Sequence, residues 1–341
     1  MEKRQFTTEE IAQNSDYLFM IKQAVKAPSG HNTQPWLFKI NQDNIEIHSN
    51  YKKSLPIVDP DNRELFISLG CAVENLCIAA SFIGYNSMVS ILDNGIITVY
   101  LEKDDHVKYD PLFEQITKRQ TNRSEYNENT IATDTLDMLK EVLLEEGINR
   151  YFYENGSKEF ADISDFVVRG NIAQMQDKAF VDELKSWMRY NKKHSNGTKD
   201  GLSYDVFGAP NLPMFIVKPI MSGYLNAKNQ NKTDVKKMQS SSHFVLFTTQ
   251  SNTLEQWINL GRSMERFLLK STELKIAHAY LNQPNEIKEL SVEMTEILNI
   301  SEYSTILLRI GYGKTLPYSK RKEIKDVIIN EEVSEDENHL S

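Results

Sequence analysis

The chain has only two cysteines in 341 residues, and this scarcity is the first of several that narrow its chemistry. Cys71 and Cys77 lie six apart in one apolar stretch, a spacing that suits neither a disulfide within a helix nor a metal site, so both read as core residues. The seven histidines are scattered, with no HExxH and no Cys/His cluster at zinc spacing, which predicts no metal cofactor. No GxGxxG occurs, so no tightly held dinucleotide is expected. GYGKT at 311 to 315 lacks the first glycine of a phosphate loop, since Leu308 stands there. Basic residues are outnumbered, 39 against 48, and the net charge of -9 argues against nucleic acid or an anionic membrane surface as a partner. No window suggests a bilayer span, and the first residues lack the apolar core of a secretory signal, so a soluble cytoplasmic protein is expected. A hydrophobic content of 40% is ample for a large core, and the length fits two ordinary domains or one intertwined double unit.

What is present is concentrated in APSGHNTQPW, residues 27 to 36, directly after an apolar helical pattern. Pro28 and Pro35 stiffen the chain, Ser29 and Gly30 permit a tight turn, and Asn32 and Gln34 offer amide donors and acceptors at short reach. Composition alone also allows a plain turn here. A second polar cluster, KRQTNRSEY at 118 to 126, places Arg119, Gln120, Thr121 and Arg123 together. Two arginines four apart are ordinarily a solvated helix face, but planar guanidinium forks beside a hydroxyl also suit a phosphate dianion.

The first stretch resembles the flavin-binding loop of the FMN-dependent nitroreductases, whose signature there is PS, a small residue, any residue, N, any residue, QPW. The resemblance implies a homodimeric α+β fold in which this loop contacts FMN held mainly by the other subunit. That family usually opens with the basic cluster that grips the phosphate, whereas here the cluster follows the loop by some 90 residues. This order implies two nitroreductase-like units fused in one chain, as in the Acg-like subgroup. DPDNRELFISLG at 59 to 70, DGLSYDVFG at 200 to 208 and LLRIGYG at 307 to 313 extend the resemblance over nearly the whole chain.

An internal comparison supports the fusion. With Leu69-Gly70 laid on Leu260-Gly261, Glu74 falls on Glu265, Leu76 on Phe267 and Ile83 on Leu274. The expected architecture is α+β, with a first unit at 1–108 and a second at 109–341. The coarse reading places helices over 8–26, 133–146 and 157–190, the last broken near Gly170, and a core helix in each unit. Asp59 or Asp61 can cap the first core helix. The second unit carries an insertion at about 156–240 whose centre mixes glycine, proline and aromatic residues. The resemblance makes it a lid over the flavin; a surface excursion is the plainer alternative.

Carried over by residue, the resemblance puts Pro28, Ser29, Gly30 and Asn32 along the isoalloxazine and ribityl chain. It puts Arg119, Gln120, Thr121 and Arg123 at the phosphate, and Lys320 and Arg321 as the second basic pair. The turn at 279–285 would place Asn282 or Gln283 against flavin N5, although the acidic residue and glycine usual in the family are absent. One FMN per chain is expected, because 143–153 at the mirror position carries Glu145 and Glu146. No catalytic side chain is expected, since the cofactor performs the chemistry. The implied activity passes electrons from NAD(P)H through FMN to a small-molecule acceptor such as a nitro compound, quinone or activated alkene, in a monomeric pseudo-dimer or a weak homodimer. The alternative is an FMN-sequestering protein with a closed lid and little turnover.

Overall fold

The computed structural model describes residues 8–329, with side chains from residue 14 onward. Residues 1–7 and the acidic C-terminal run lie outside the described residues. Helix α1 (Thr8–Ala24) turns Tyr17, Met20, Ile21 and Ala24 inward at helical spacing. It ends two residues before the expected boundary, ahead of the backbone restriction that Pro28 imposes. Strands β1 (Trp36–Ile40) and β2 (Asn44–Ser49) form a hairpin, and α2 (Arg63–Phe82) follows. Asp59 caps α2: its carboxylate accepts from the backbone N–H of Glu64 at 3.1 Å and of Leu65 at 2.9 Å. Strands β3 (Tyr85–Ile91) and β4 (Ile97–Lys103) complete an antiparallel sheet of order β1-β2-β4-β3.

After the short helix α3 (Phe113–Ile116) the plan repeats. Helix α4 (Thr133–Lys140) and strand β5 (Ile148–Glu154) are followed, past a long insertion, by β8 (His243–Thr249), α10 (Leu254–Glu273), β9 (Ala277–Tyr280) and β10 (Tyr303–Gly311). The second sheet has order β5-β8-β10-β9, the first sheet's topology strand for strand. Helix α4 stops at Lys140, short of the expected Glu146, because the chain must turn through Gly147, at φ 79°, to enter β5. Between β9 and β10 the second sheet carries α11 (Lys288–Ile297), where the first has a tight turn.

Helices α2 and α10 cross at two glycines. A Cβ on Gly70 would lie 2.0 Å from the carbonyl oxygen of Ile258, and one on Gly261 would lie 2.1 Å from that of Ile67. The contact is reciprocal, residue for residue, in the register in which Gly70 aligns with Gly261. Around the crossing, Leu69, Cys71, Ala72, Val73, Leu260, Met264 and Phe267 join α1 and both sheets in one apolar core. By length and composition α2 could cross a membrane, contrary to the expectation from the sequence, but 83% of that window is buried within the protein.

The insertion comprises α5 (Lys158–Gln176), α6 (Lys178–Trp187), β6 (Met188–Arg189), α7 (Lys192–Thr198), β7 (Leu202–Ser203), α8 (Met214–Tyr224) and α9 (Ala227–Gln239). The helix break falls at Asp177, not near Gly170. Gly170 lies inside continuous α5, where its missing Cβ admits the backbone of Gln283; the added carbon would be 3.0 Å from that carbonyl carbon. Phe160, Ile163, Phe166 and Val167 of α5 and Met238 of α9 pack with Phe244, Leu246 and Leu307 in a second apolar core. The two ends of the insertion therefore belong to the body of the fold, and its middle, 188–226, extends toward the 27–34 loop.

Candidate functional site

The 27–34 loop is held in an unusual backbone shape. His31, Asn32 and Gln34 have φ of 48°, 56° and 56°, which costs non-glycine residues on the order of 1 kcal/mol each. Surrounding bonds enforce it. Ser29 Oγ accepts from the N–H of Gln34 at 3.0 Å. Asn32 Nδ2 donates to the carbonyls of Gly201 and Lys320, both at 3.1 Å, and its Oδ1 accepts from Arg321 at 2.9 Å. Gln34 donates to the carbonyl of Lys199 at 2.8 Å and accepts from the N–H of Lys322 at 2.8 Å. The loop is thus tied to the middle of the insertion and to residues 320–322.

The 118–126 cluster converges on the same loop. Arg119, 4% exposed, donates to the carbonyl of Lys26 at 2.6 Å and forms an ion pair with the fully buried Glu265 of α10 at 3.2 Å. Arg321 donates to the carbonyls of Lys26 and Ala27 at 3.2 and 3.1 Å. Burial, with Arg119 adjacent, pulls Arg321 down to about 9, and burial raises Glu265 to about 7 against the pull of Arg119. Gln120 spends its amide on both backbone groups of Leu316, and Thr121 bridges His278 of β9. Arg309 of β10 donates to the carbonyls of Asn122 and Ser124 and fixes the segment.

Arg123 is different. It makes no ion pair or hydrogen bond among the described residues; its guanidinium lies 5.5 Å from the ring centroid of Phe207 and within electrostatic reach of His31 and Tyr280. Burial holds it down to about 10 and, with Arg123 beside it, holds His31 down to about 4. The imidazole Nε2 of His31 is buried without a partner. A half-buried guanidinium lacking an anion, beside an unpartnered imidazole and a tyrosine, is a donor set that fits a phosphate.

The remaining predicted residues divide. Gly30 packs against Glu64, whose Oε2 lies 3.3 Å from where a Cβ would stand. Asn282 joins that side by donating to Glu64 Oε1 at 2.5 Å, and its own Oδ1 accepts from Asn285 and the N–H of Leu307. Gln283 faces α5 and α9, donating to Asn171 at 3.1 Å and Asp234 at 3.3 Å. Lys320 lines a shallow recess with Lys192, Ser195, Asn196, Tyr204 and Asp205. Sequence reasoning missed Glu64, Glu265, Tyr280 and Glu286; for Glu64 and Glu265 the signal was an acid within a core helix, whereas Glu286 lies in a turn and gave none. Among the described residues no cluster of His, Cys, Asp or Glu could hold a metal ion.

The structure is an α+β protein with two four-stranded sheets of one topology, whose core helices cross at paired glycines. The chain is similar in sequence to proteins named as NAD(P)H nitroreductases. Two Mycobacterium tuberculosis proteins, from strains CDC 1551 / Oshkosh and ATCC 25618 / H37Rv and each provisionally named an NAD(P)H nitroreductase, are 22% identical to it over 324 residues, covering 89% of this chain and 88% of each relative. No protein-family model matches. Among solved structures, a nitroreductase with bound FMN from Bacteroides fragilis aligns at 14% identity and a TM-score of 0.40, over 65% of this chain and 100% of that one. An FMN-dependent nitroreductase from Mycobacterium smegmatis in complex with NADPH aligns at 10% identity and a TM-score of 0.40, over 62% and 94%.

Proposed function

We propose that the protein is an FMN-dependent oxidoreductase that takes hydride from NAD(P)H and passes the electrons to a small acceptor, a nitro compound, quinone or activated alkene. The observation that carries this reading is Arg123, a half-buried guanidinium without an anion among the described residues, set beside the loop whose sequence matches the flavin-binding signature. FMN, when bound, would supply the hydride chemistry. Arg123 would hold its phosphate, with Lys320 contributing charge at the rim. Pro28, Ser29 and Gly30 would present backbone close to the ring system, and Asn282 and Gln283 would border it. Arg119, Gln120, Arg321 and Asn32 support that site chiefly by positioning its segments, because their side chains already have partners in the protein, and Thr121 does so through its backbone bridge to His278.

The same reading treats 1–108 and 109–341 as two units from an ancestral duplication. The matched sheet orders and the reciprocal glycine crossing support this, as an intramolecular counterpart of a dimer interface. The middle of the 156–240 insertion would act as the lid, since Lys199 and Gly201 bond to the loop and Phe207 lies against Arg123. One FMN per chain, action as a pseudo-dimeric monomer and a cytoplasmic site of action complete the proposal.

Spectroscopy of the purified chain tests it. Flavin absorbance at one equivalent per chain, bleached within seconds of mixing with NADH or NADPH, is expected. A spectrum that stays oxidised for minutes would point to sequestration, and failure to take up FMN would overturn the reading.

A further inference from the structure

Beneath Gly30 lies a carboxyl pair that the flavin reading does not use. Glu64 opens α2 and Glu286 ends the turn after β9; the two carboxyls are close neighbours, and the charge of Glu286 favours a proton on Glu64. Two carboxylates offer only acceptors to each other, so their proximity favours a proton between them. Each carboxyl has one further donor, a neutral amide: Asn282 gives to Glu64 and Gln174 to Glu286, both at 2.5 Å. The charged and titratable neighbours are few. Arg63 directs a guanidinium N–H to the carbonyl of Asn285 at 2.7 Å, and Asp59 spends its carboxylate on the start of α2. On the β9 side stands Tyr280, whose hydroxyl makes no hydrogen bond among the described residues; α5 contributes only Gln174. Both acids retain accessible surface, and Glu64 sits 3.3 Å from the place of a Gly30 Cβ, at the floor of the proposed flavin loop.

Resting on the function proposed above, we infer that Glu64, backed by Glu286, is the acid that protonates the acceptor as it is reduced. Hydride from the reduced nicotinamide brings two electrons and one proton equivalent to a nitro group, quinone or alkene, and the product needs one proton more. The Glu64 O–H bond breaks and an O–H or C–H bond forms on the acceptor. The O–H electron pair stays on the carboxylate, leaving the pair doubly anionic beside Arg63 until water returns a proton through Glu286. Burial keeps the Glu64 proton in place up to about 8, with the Glu286 charge assisting, so the acid is loaded at neutral pH.

Stopped-flow kinetics on the FMN-loaded full chain separate the two half-reactions. With NADPH as reductant and nitrofurazone as acceptor, Glu64→Gln should leave flavin reduction within twofold of wild type and slow reoxidation by nitrofurazone roughly 10²-fold, as loss of a general acid does. Glu286→Gln should slow reoxidation by about tenfold while sparing reduction. A parallel fall in both half-reactions, or no fall in reoxidation, would overturn the assignment. Infrared spectra of the flavin-free chain give a readout independent of turnover: a protonated-carboxyl stretch at pH 7 that Glu64→Gln removes. A wild-type chain that takes up FMN but lacks that band sinks the proton donor alone, whereas a chain that takes up no FMN sinks the redox reading and the delivery step with it.

Discussion

On one side of the α2–α10 crossing, Glu74 meets Arg262 and Arg266 of the facing helix, which also bind Glu145, at 2.5 to 3.1 Å. On the other side, Glu265 occupies the matching register, but the facing positions on α2 are Cys71 and Asn75. Its cation, Arg119, comes from the segment between the sheets, with Arg321 of the C-terminal segment nearby. The first side is closed by a salt-bridge network made within the helices and the loop before β5. The second draws its charges from distant segments, and those arginines also grip the carbonyls of Lys26 and Ala27. Importing its cations is what leaves that side with a shaped loop, and with Arg123 as a charge to spare. The mirror loop, where Glu145 and Glu146 were expected to repel an anion, is occupied instead: Glu145 is neutralised by two arginines.

The comparison depends on the crossing, so breaking the crossing should have the largest effect. Gly70→Ala or Gly261→Ala drives a methyl into a backbone carbonyl that cannot step aside. Either should cost about 3 kcal/mol or more and lower the melting temperature sharply. Gly223→Ala in α8, where no atom lies within 4 Å of the added carbon, should be neutral or mildly stabilising in the same thermal melts. Equal behaviour of the three would mean the helices are not locked at this point.

Next comes the contrast between the two glutamates. Arg119→Met removes the cation that pairs with Glu265 and the tie to the Lys26 carbonyl at once, and should cost about 3 kcal/mol in denaturant unfolding. Arg262→Met should cost less, about 1 kcal/mol, because Arg266 keeps both Glu74 and Glu145 paired. The resemblance places Arg119 at a ligand phosphate, a role that carries no stability of its own. A buried ion pair makes it a structural residue first.

Much of this plan was legible beforehand, for reasons that can be located. The Gly70–Gly261 register came from matching apolar spacing and a shared Leu-Gly, which are local properties. So was the Asp59 cap, a polar residue placed ahead of an apolar run. The loop residues were found as well, but what their side chains touch was not, because Asn32 meets Gly201 and Arg321 only after 169 and 289 residues of chain. No spacing rule reaches that far. Strand β9, only four residues long, is indistinguishable in sequence from the turn that follows it, and the apolar faces of α5 and α9 do not say whether they serve a sheet or a cover.

Stability against pH tests the carboxyl pair. In the folded chain Glu64 keeps its proton to about 8, whereas an unfolded glutamate releases it near 4.5. Between those values the folded state binds more protons, so stability contributed by this group falls as pH rises through the window. His31 acts oppositely on the acid side: its folded value near 4 lies below the unfolded 6.5, so stability falls as pH drops from 6.5 toward 4. Glu64→Gln should flatten the alkaline limb of the unfolding profile and leave the acid limb in place. A profile unchanged between pH 5 and 8 would mean that no proton is held at this pair.

The smallest change in stability, and the sharpest comparison, belongs to Arg123. Arg119 and Arg123 are four residues apart in one segment, but among the described residues the first has an anion and the second does not. A half-buried cation with an aromatic ring but no anion against it among the described residues is costly to the fold, so Arg123→Met should raise the stability of the flavin-free chain by about 1 kcal/mol while Arg119→Met lowers it. The same Arg123→Met change should weaken FMN retention by about tenfold or more, since a charge-assisted contact to phosphate is lost. Opposite signs for two neighbouring arginines, in one unfolding assay, are what a ligand-binding charge beside a structural one requires. A loss of stability at both positions would mean that Arg123 already has its partner within the protein, and the phosphate would then have to be held elsewhere.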